Sequence, residues 1–268
     1  MKAKRGSSTH LRRSLSPDFW PIPRKRYVWT IKPSPGPHPS DVSVPLGILL
    51  RDALRYAYTL REARKILGEK RVYVDGRVVS EYKYPIGVMD VILLADAEEY
   101  YRVLPHPTKF LMLHRIDEKE SSLKPLRVKR KVTVKNGYIQ FTFHDGKTFI
   151  LKNTQTNMFS KFNNIKTFDT VLMNLETKSL IDHLPVANGV LAYIINGRNI
   201  GFLGKIESIQ QIFKRRAAIT TLTGSGGVIT RTILDYIFVV GREKPLISIP
   251  TDDEIRQWND LLSKQRML

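Results

Sequence analysis

The stretch Thr59–Ile92, TLREARKILGEKRVYVDGRVVSEYKYPIGVMDVI, carries the strongest structural signals in the chain. Thr59 and Glu62 have capping-box spacing, which predicts that a helix begins here. Gly68 is expected to end that helix in the left-handed conformation. Asp75-Gly76 lies between β-forming residues, which is the pattern of a tight hairpin turn. This stretch therefore predicts a helix followed by a β-hairpin.

A further helix is predicted immediately before this stretch. Pro45 suits a first helical turn, and an apolar stripe follows it at Leu46, Leu49, Leu50, Ala53, Leu54 and Ala57. Arg51 and Arg55 are four residues apart and would share a helix face. The next helix and the entry to the hairpin add basic residues at Arg61, Arg64, Lys65, Lys70 and Arg71. This basic face predicts phosphate contacts, with an ordinary solvated face as the alternative.

The first 40 residues form a basic arm. They hold nine Lys or Arg side chains against one acid, and seven of the chain's 15 prolines. The proline-rich run Pro33–Pro39 excludes helix and central strand, so we expect an extended arm without a core of its own, which orders only on binding. Aromatic residues lie between the cations at Phe19, Trp20, Tyr27 and Trp29. They would either stack on bases or fix the arm to the adjacent domain.

The overall composition indicates a protein that binds a polyanion. Lys and Arg number 44 against 25 Asp and Glu, a formal charge of +19, and 42% of the residues are hydrophobic. Cys is absent, which excludes disulfides and thiolate metal sites. We expect a soluble cytoplasmic protein because no apolar run reaches about 18 residues. Nucleic acid is the commonest polyanionic partner, and a high pI that serves solubility alone is the alternative.

Beyond residue 96 the chain is predicted to be mainly β. Asn136-Gly137 and Asp145-Gly146 mark hairpin turns, and five short strands after Pro185 predict a small barrel. A second basic segment, Lys124–Lys135, contains six Lys or Arg and no acid. Thr251–Glu254 predicts the capping box of a terminal helix that packs on protein.

These signals together predict an α+β, predominantly β, fold in five segments. The first, 1–42, is the basic Pro-rich arm, and the second, 43–95, is the two-helix plus hairpin unit. A central antiparallel β domain follows at 96–184, then a small barrel at 185–241. The last segment, 242–268, is a C-terminal extension with a short helix.

The arm's Pro33–His38 (PSPGPH) and the stretch TLREARKIL…VYVDGRVVSEYKYPIGVMDV together resemble one family, the archaeal and eukaryotic small-subunit ribosomal protein S-four, e-type. The resemblance covers about residues 3–250. It implies a basic arm, an S-four-type RNA-binding domain, a central β domain and an SH3-like KOW barrel. The KOW motif would be carried by Gly197, Asn199, Gly201 and Gly204, whose glycines permit a tight loop and close backbone approach.

The resemblance implies a structural rRNA-binding protein of the small ribosomal subunit, located on the cytoplasmic ribosome. Its partners would be rRNA and neighbouring ribosomal proteins, with one copy per ribosome and with neither cofactor nor metal. The arm would contact rRNA through Lys4, Arg5, His10, Arg12, Arg13, Arg24, Lys25, Arg26, Lys32 and His38. The S-four-type unit would do so through Arg51, Arg55, Arg61, Arg64, Lys65, Lys70 and Arg71.

Two alternatives remain at this point. S-four-type domains also occur on pseudouridine synthases, and His114–Asp117 resembles their catalytic Arg-Leu-Asp setting, with Asp117 as the only candidate nucleophile. The acidic and polar residues that follow Asp117 favour a surface turn instead. A KOW-type assembly or transcription factor, bound to ribosomes only transiently, is the second alternative. The six scattered histidines do not have metal-ligand spacing.

Overall fold

The computed structural model describes residues 10–267 except 24, 109, 153–161, 212 and 225, with only the backbone given for 261–267. No helix among these residues is long and apolar enough to cross a membrane. Strands dominate the described chain, in agreement with the predicted α+β, mostly β class.

The arm and the first unit contain short strands and two helical segments. The arm forms a ribbon of β1 (Leu11–Arg12) and β2 (Trp29–Thr30), and β3 (Val44–Pro45) follows it. Helix α1 (Leu46–Ile48) continues into a π-helical turn at Leu49–Ala53, and α2 spans Leu60–Gly68. The next strands are β4 (Val72–Val74), β5 (Arg77–Val78), β6 (Pro85–Ile86), β7 (Val91–Leu94), β8 (Glu99–His106) and β9 (Phe110–Ile116).

The start of α2 confirms the capping box, and its end differs from the prediction. Thr59 Oγ1 accepts a hydrogen bond from the Glu62 amide at 3.2 Å. Gly68, however, lies inside the helix, and Lys70 adopts the left-handed conformation with φ 60°. The helix gains one residue because Glu69 stays helical at its C-cap.

The first helix is shorter than its apolar stripe predicts. The π-helical turn ends at Ala53, and Arg55 has a φ of 61°, outside the helical region. Arg51 and Arg55 therefore do not share a helix face, which corrects that expectation. The chain leaves the helix here because the amides of Tyr56 and Ala57 both bond back to the Leu50 carbonyl oxygen.

Strands of the first unit form one antiparallel sheet in the order β5-β4-β7-β8-β9, while β3 pairs with β6. The Asp75-Gly76 hairpin is confirmed, with φ of 51° and 73° at its two turn residues. Strands β8 and β9 belong to this sheet, although the sequence analysis predicts that residues 96–184 form the central domain. The predicted boundary at 95–96 thus falls between two paired strands.

The central sheet has the order β12-β11-β10-β13-β14. A single helical turn, α3 (Glu118–Ser121), leads into it. Its strands are β10 (Leu123–Thr133), β11 (Ile139–Phe143), β12 (Thr148–Leu151), β13 (Thr170–Asn174) and β14 (Leu180–Leu184). Strand β10 joins the sheet together, because its first half pairs with β13 and its second half with β11. The hairpins predicted at Asn136-Gly137 and Asp145-Gly146 are both present.

A third antiparallel sheet has the order β18-β17-β16-β15-β19 and confirms the five short strands. They are β15 (Leu191–Ile194), β16 (Leu203–Gln210), β17 (Ile219–Gly224), β18 (Ile229–Ile233) and β19 (Ile237–Gly241). Single 3-10 turns occur at Arg13–Leu15, Ser40–Val42, Lys135–Gly137, Arg215–Ala217 and Leu234–Tyr236.

The terminal helix α4 (Asp252–Met267) packs on the arm and the first unit. The predicted capping box is confirmed, since the Thr251 amide donates to Glu254 Oε2 at 2.9 Å. Ile255 and Trp258 pack against the largest hydrophobic core. This helix therefore contacts protein, as its neutral composition predicts.

The arm is docked on the body along its described part. Trp20, Ile22 and Ile31 are buried in the same core as α1 and α2. Trp20 Nε1 donates to the Ser43 carbonyl oxygen at 2.8 Å. The described part of the arm is extended as predicted, and its own apolar side chains complete the core. Ordering of the arm on binding stays a prediction.

Candidate nucleic-acid interface

The arm and the first helix enclose a small pocket that gathers arginines from both. It has a volume of about 210 Å³ and is lined by Pro23, Arg26, Tyr27, Arg51, Asp52, Arg55, Ala57 and Tyr58. We call it the arginine pocket. Arg26 and Arg51 lie over the ring of Tyr27, with their guanidinium carbons 5.4 and 4.6 Å from its centroid. Arginine and tyrosine together supply the cationic and flat groups that RNA backbones and bases contact.

Arg51 is held in place by a buried carboxylate that the sequence analysis did not single out. Its guanidinium makes two hydrogen bonds to Asp52, at 3.0 and 2.7 Å. Burial raises the pKa of Asp52, and the Arg51 hydrogen bond and charge oppose that rise. Asp52 therefore fixes the direction of Arg51 and neutralises part of its charge. Arg26 and Arg55 are the more exposed cations of the pocket.

The cations of α2 lie on an open face beside this pocket. Arg61, Arg64 and Lys65 are all exposed, and Arg64 stacks 4.2 Å from the ring centroid of Tyr82. Lys70 is exposed at the left-handed turn after the helix. Arg71 is exposed but pairs with Asp96 at 2.8 Å. The face is thus open to a polyanion, with the Arg71 charge partly compensated.

The β1–β2 ribbon carries the remaining described cations of the arm. Arg12 and Lys25 are exposed, and His10 lies with its ring centroid 5.6 Å from that of Trp29. Arg13 is partly buried and bonds to Ser16 Oγ at 3.0 Å. Lys32 is partly buried, and Lys4, Arg5 and Arg24 lie outside the described residues.

His38 lies in the interior rather than on this surface. Its Nε2 is 3.0 Å from Asp90, and its ring packs directly on the backbone of Gly87, where an added Cβ would lie 2.4 Å away. The ring thereby joins the arm to the first unit. Its burial argues against the RNA contact predicted for His38, because its Nε2 already faces a buried carboxylate.

The second basic segment also begins in the interior. Lys124 is fully buried, and its Nζ lies 2.5 Å from Asp75, 2.7 Å from Asp90 and 3.1 Å from Asp145. We call this group the Lys124 cluster. Lys147 approaches it from the surface, 2.8 Å from Asp75. Burial alone would raise the pKa of Asp90, but Lys124 and His38 hold that pKa well below its usual range.

Of the residues that resemble the KOW motif, Gly197, Asn199 and Gly201 lie in the loop between β15 and β16. Gly197 and Gly201 both have positive φ, 88° and 78°, which side-chain-bearing residues rarely adopt. Gly201 lies against Pro107, and a Cβ there would be 2.6 Å from the proline ring. Gly204 lies in β16, where a Cβ would approach the Thr223 carbonyl oxygen of β17, and Asn199 is exposed. The close backbone approach predicted for these glycines is therefore made to the chain itself.

This chain is similar to known proteins in both sequence and structure. Its sequence matches three families: Ribosomal family S4e over residues 97–180, the RS4NT (NUC023) domain over 5–41 and the S4 domain over 46–92. A protein of Ignicoccus hospitalis named small ribosomal subunit protein eS4 is 42% identical, covering 91% of this chain and 96% of its own. The protein of that name from Pyrobaculum arsenaticum is 48% identical, covering 90% and 98%.

A solved structure agrees with these matches. The crystal structure of the 30S ribosomal protein S4e from Thermoplasma acidophilum superimposes with a TM-score of 0.62 at 30% identity, covering 75% of this chain and 96% of that one. The chain thus belongs to the class of proteins that carry an S4 domain. More particularly, it belongs to the S4e family of ribosomal proteins.

Family membership decides between the alternatives left by the sequence. The relatives are ribosomal proteins of a structural family, so the chain is not an enzyme and the synthase and transient-factor alternatives are not favoured. Asp117 is exposed and precedes the single turn α3, as expected of a surface turn.

Proposed function

We propose that this chain is a structural rRNA-binding protein of the small ribosomal subunit, acting in the cytoplasmic ribosome during assembly and translation. Its RNA-facing surface would consist of the arginine pocket, the exposed cations of α2 and the β1–β2 ribbon. The observation that carries this assignment is the arginine pocket, because it brings cations of the arm and of the S4 domain around one opening. The proposed surface leaves out His38 and Lys124, which are buried.

The partners follow from this role. The chain would contact rRNA on the arm side and neighbouring ribosomal proteins elsewhere, as one copy per ribosome. The third sheet would act as the KOW-type, SH3-like barrel of the family, with the loop Gly197–Gly204 docked on the first unit through Gly201.

Sedimentation of a native lysate tests the assignment to the ribosome. The chain should sediment in stoichiometric amount with the small subunit both at low salt and at roughly 0.5 M monovalent salt, where weak electrostatic complexes dissociate. Release to the top of the gradient at high salt, or a substoichiometric amount, would contradict a structural role.

The arginine pocket has its own test. Replacing Arg26 and Arg55 by Gln should weaken binding of purified protein to small-subunit rRNA about 10-fold or more, and lower the log–log salt slope by roughly 0.9 per lost phosphate contact. Arg256→Gln, an equally cationic position on the exposed face of α4, is the matched control. Arg51 is avoided because its removal leaves Asp52 buried without its cation. Equal affinity and slope for the double variant and the control would exclude the pocket from the interface.

A further inference from the structure

Trp29 is a large aromatic side chain left open to solvent on an otherwise ordered ribbon. Arg12 pairs with Trp29 and Leu11 with Thr30, so the two pairs lie on opposite faces of the ribbon. Leu11 packs against the core, whereas Trp29 is 55% exposed. The alternation of the ribbon thus directs the indole outward, and its open surface is available to a ligand.

The space next to this indole is a groove rimmed by cations. It is open to solvent and has a volume of about 760 Å³. We call it the Trp29 groove. The Arg12 guanidinium carbon lies 5.8 Å from the indole centroid, and Lys25 lines the groove with an exposed ammonium. One acid, Asp18, lies among the lining residues.

The charge at the rim favours a nucleic acid over an apolar protein segment as the occupant. A flat ring with guanidinium and ammonium groups beside it matches a base with its phosphate, and base–aromatic stacking contributes about 1–3 kcal/mol per base. A base within a duplex is already stacked on both faces and cannot supply its ring. The groove therefore suits a nucleotide that is not paired.

The two openings share one lining residue. Tyr27 lines both the Trp29 groove and the arginine pocket. An RNA strand with an unpaired base stacked on Trp29 would place its next phosphates near Arg26 and Arg55. The buried Trp20, in contrast, is fully enclosed and bonded to Ser43, so it offers nothing to RNA.

We propose that the Trp29 groove binds one unpaired RNA nucleotide, with its base stacked on the indole and its phosphate neutralised by Arg12 and Lys25. This inference rests on the proposed function, since RNA is the partner in both. It adds that the RNA segment at this part of the surface is single-stranded.

The test uses the full chain and two short RNA probes. Binding of an oligoadenylate of about twelve nucleotides and of a blunt duplex of similar length is measured by fluorescence anisotropy at about 0.1 M salt. Trp29→Ala should weaken oligoadenylate binding about 5- to 100-fold and change duplex binding less than about twofold. Trp29→Phe should keep most of the affinity because the ring remains. Phe213→Ala, which removes an exposed aromatic ring outside the groove, is the matched control and should bind like the wild type.

The outcomes separate this inference from the proposed function. Wild-type oligoadenylate affinity in Trp29→Ala, or an equal loss for both RNAs, overturns the stacking site while sedimentation with the small subunit is retained. Loss of that sedimentation by Trp29→Ala with unchanged oligoadenylate binding also overturns it, because the indole then contacts a protein. A wild-type chain that binds neither RNA and does not sediment with the small subunit overturns the proposed function itself.

Discussion

The two most basic segments of the chain, the arm and Lys124–Lys135, lie in opposite environments in the folded protein. In the arm, Arg12 and Lys25 lie at the surface and the apolar Trp20 is buried. In the second segment, Lys124 is fully buried among three carboxylates, and Arg127 points inward, its Nη1 donating to the Asp235 carbonyl oxygen at 2.5 Å. Only the later part of that segment, from Lys129 onward, is exposed.

This difference teaches that clustered charge along a sequence does not by itself mark a binding surface. The arm has no regular partner strands over most of its length, so Arg12, Lys25 and Arg26 remain in water while Trp20 reaches the core. Strand β10 is the central strand of its sheet and its first half is buried, so Lys124 requires internal partners. Topology, rather than local charge, decides which lysines are free to meet RNA.

The sharpest test of this contrast compares two lysines of β10. Lys124→Met should reduce the free energy of unfolding by about 3–5 kcal/mol, because it leaves Asp75, Asp90 and Asp145 buried without their shared cation. Lys129→Met, five residues further along and exposed, should change it by less than about 0.5 kcal/mol. Urea denaturation measures both, and similar midpoints for the two variants would contradict the contrast.

A second comparison uses the two tryptophans of the arm. Trp20→Phe should cost about 1–3 kcal/mol, because the Ser43 carbonyl oxygen loses its donor in a buried site. Trp29→Phe should leave the free energy of unfolding nearly unchanged, since Trp29 is open to solvent. Thermal denaturation of both variants checks this. A stable Trp20→Phe protein would mean that the arm contributes little to the folded body.

The last expected effect is a pH dependence at His144, whose ring contacts the backbone of Arg127 in the second segment. His144 Nδ1 accepts from the Arg127 amide and Nε2 donates to the Val88 carbonyl oxygen, so the ring is neutral. Burial lowers the pKa of His144 to about 3. Between the unfolded pKa of about 6.5 and this value, only the unfolded chain binds the proton, so stability falls as pH falls, by up to about 1.4 kcal/mol per unit.

The measurement is urea denaturation across this pH range in the wild type and in His144→Gln. The variant should show a smaller loss of stability between about pH 6 and pH 4. Below about pH 4, protonation of Asp90 and Asp145, whose pKa values are lowered, should destabilise both proteins alike. Equal slopes above pH 4 would show that the ring is not held neutral.

Local signals in the sequence predicted the parts of the fold that depend on neighbouring residues. The capping boxes at Thr59 and Thr251 and the turn at Asp75-Gly76 are confirmed, because their geometry is set within three or four residues. The prediction of where the first helix ends was wrong, since its π-helical turn and the left-handed Arg55 depend on how Leu50 packs in the core.

The candidate site was harder to predict from the sequence than these local elements of the fold. The basic residue types of the arm and of α2 were identified, but their assembly with Tyr27 around one pocket is a contact between segments more than 20 residues apart. The Lys124 cluster draws on four segments, and the only signals in the sequence were the hairpin-turn residues Asp75 and Asp145. Tertiary pairing of this kind leaves no periodicity for a single sequence to display.

The Lys124 cluster also has a consequence for the order in which the chain folds during its synthesis. A chain made from its N-terminus exposes Asp75 and Asp90 before Lys124 has been added, and Asp145 comes later still. Two carboxylates that converge on one point cannot be enclosed without their cation, so a nascent chain of about 116 residues lacks the means to close this interior. We therefore expect the N-terminal half to close this interior only after Lys124 has been added to the chain.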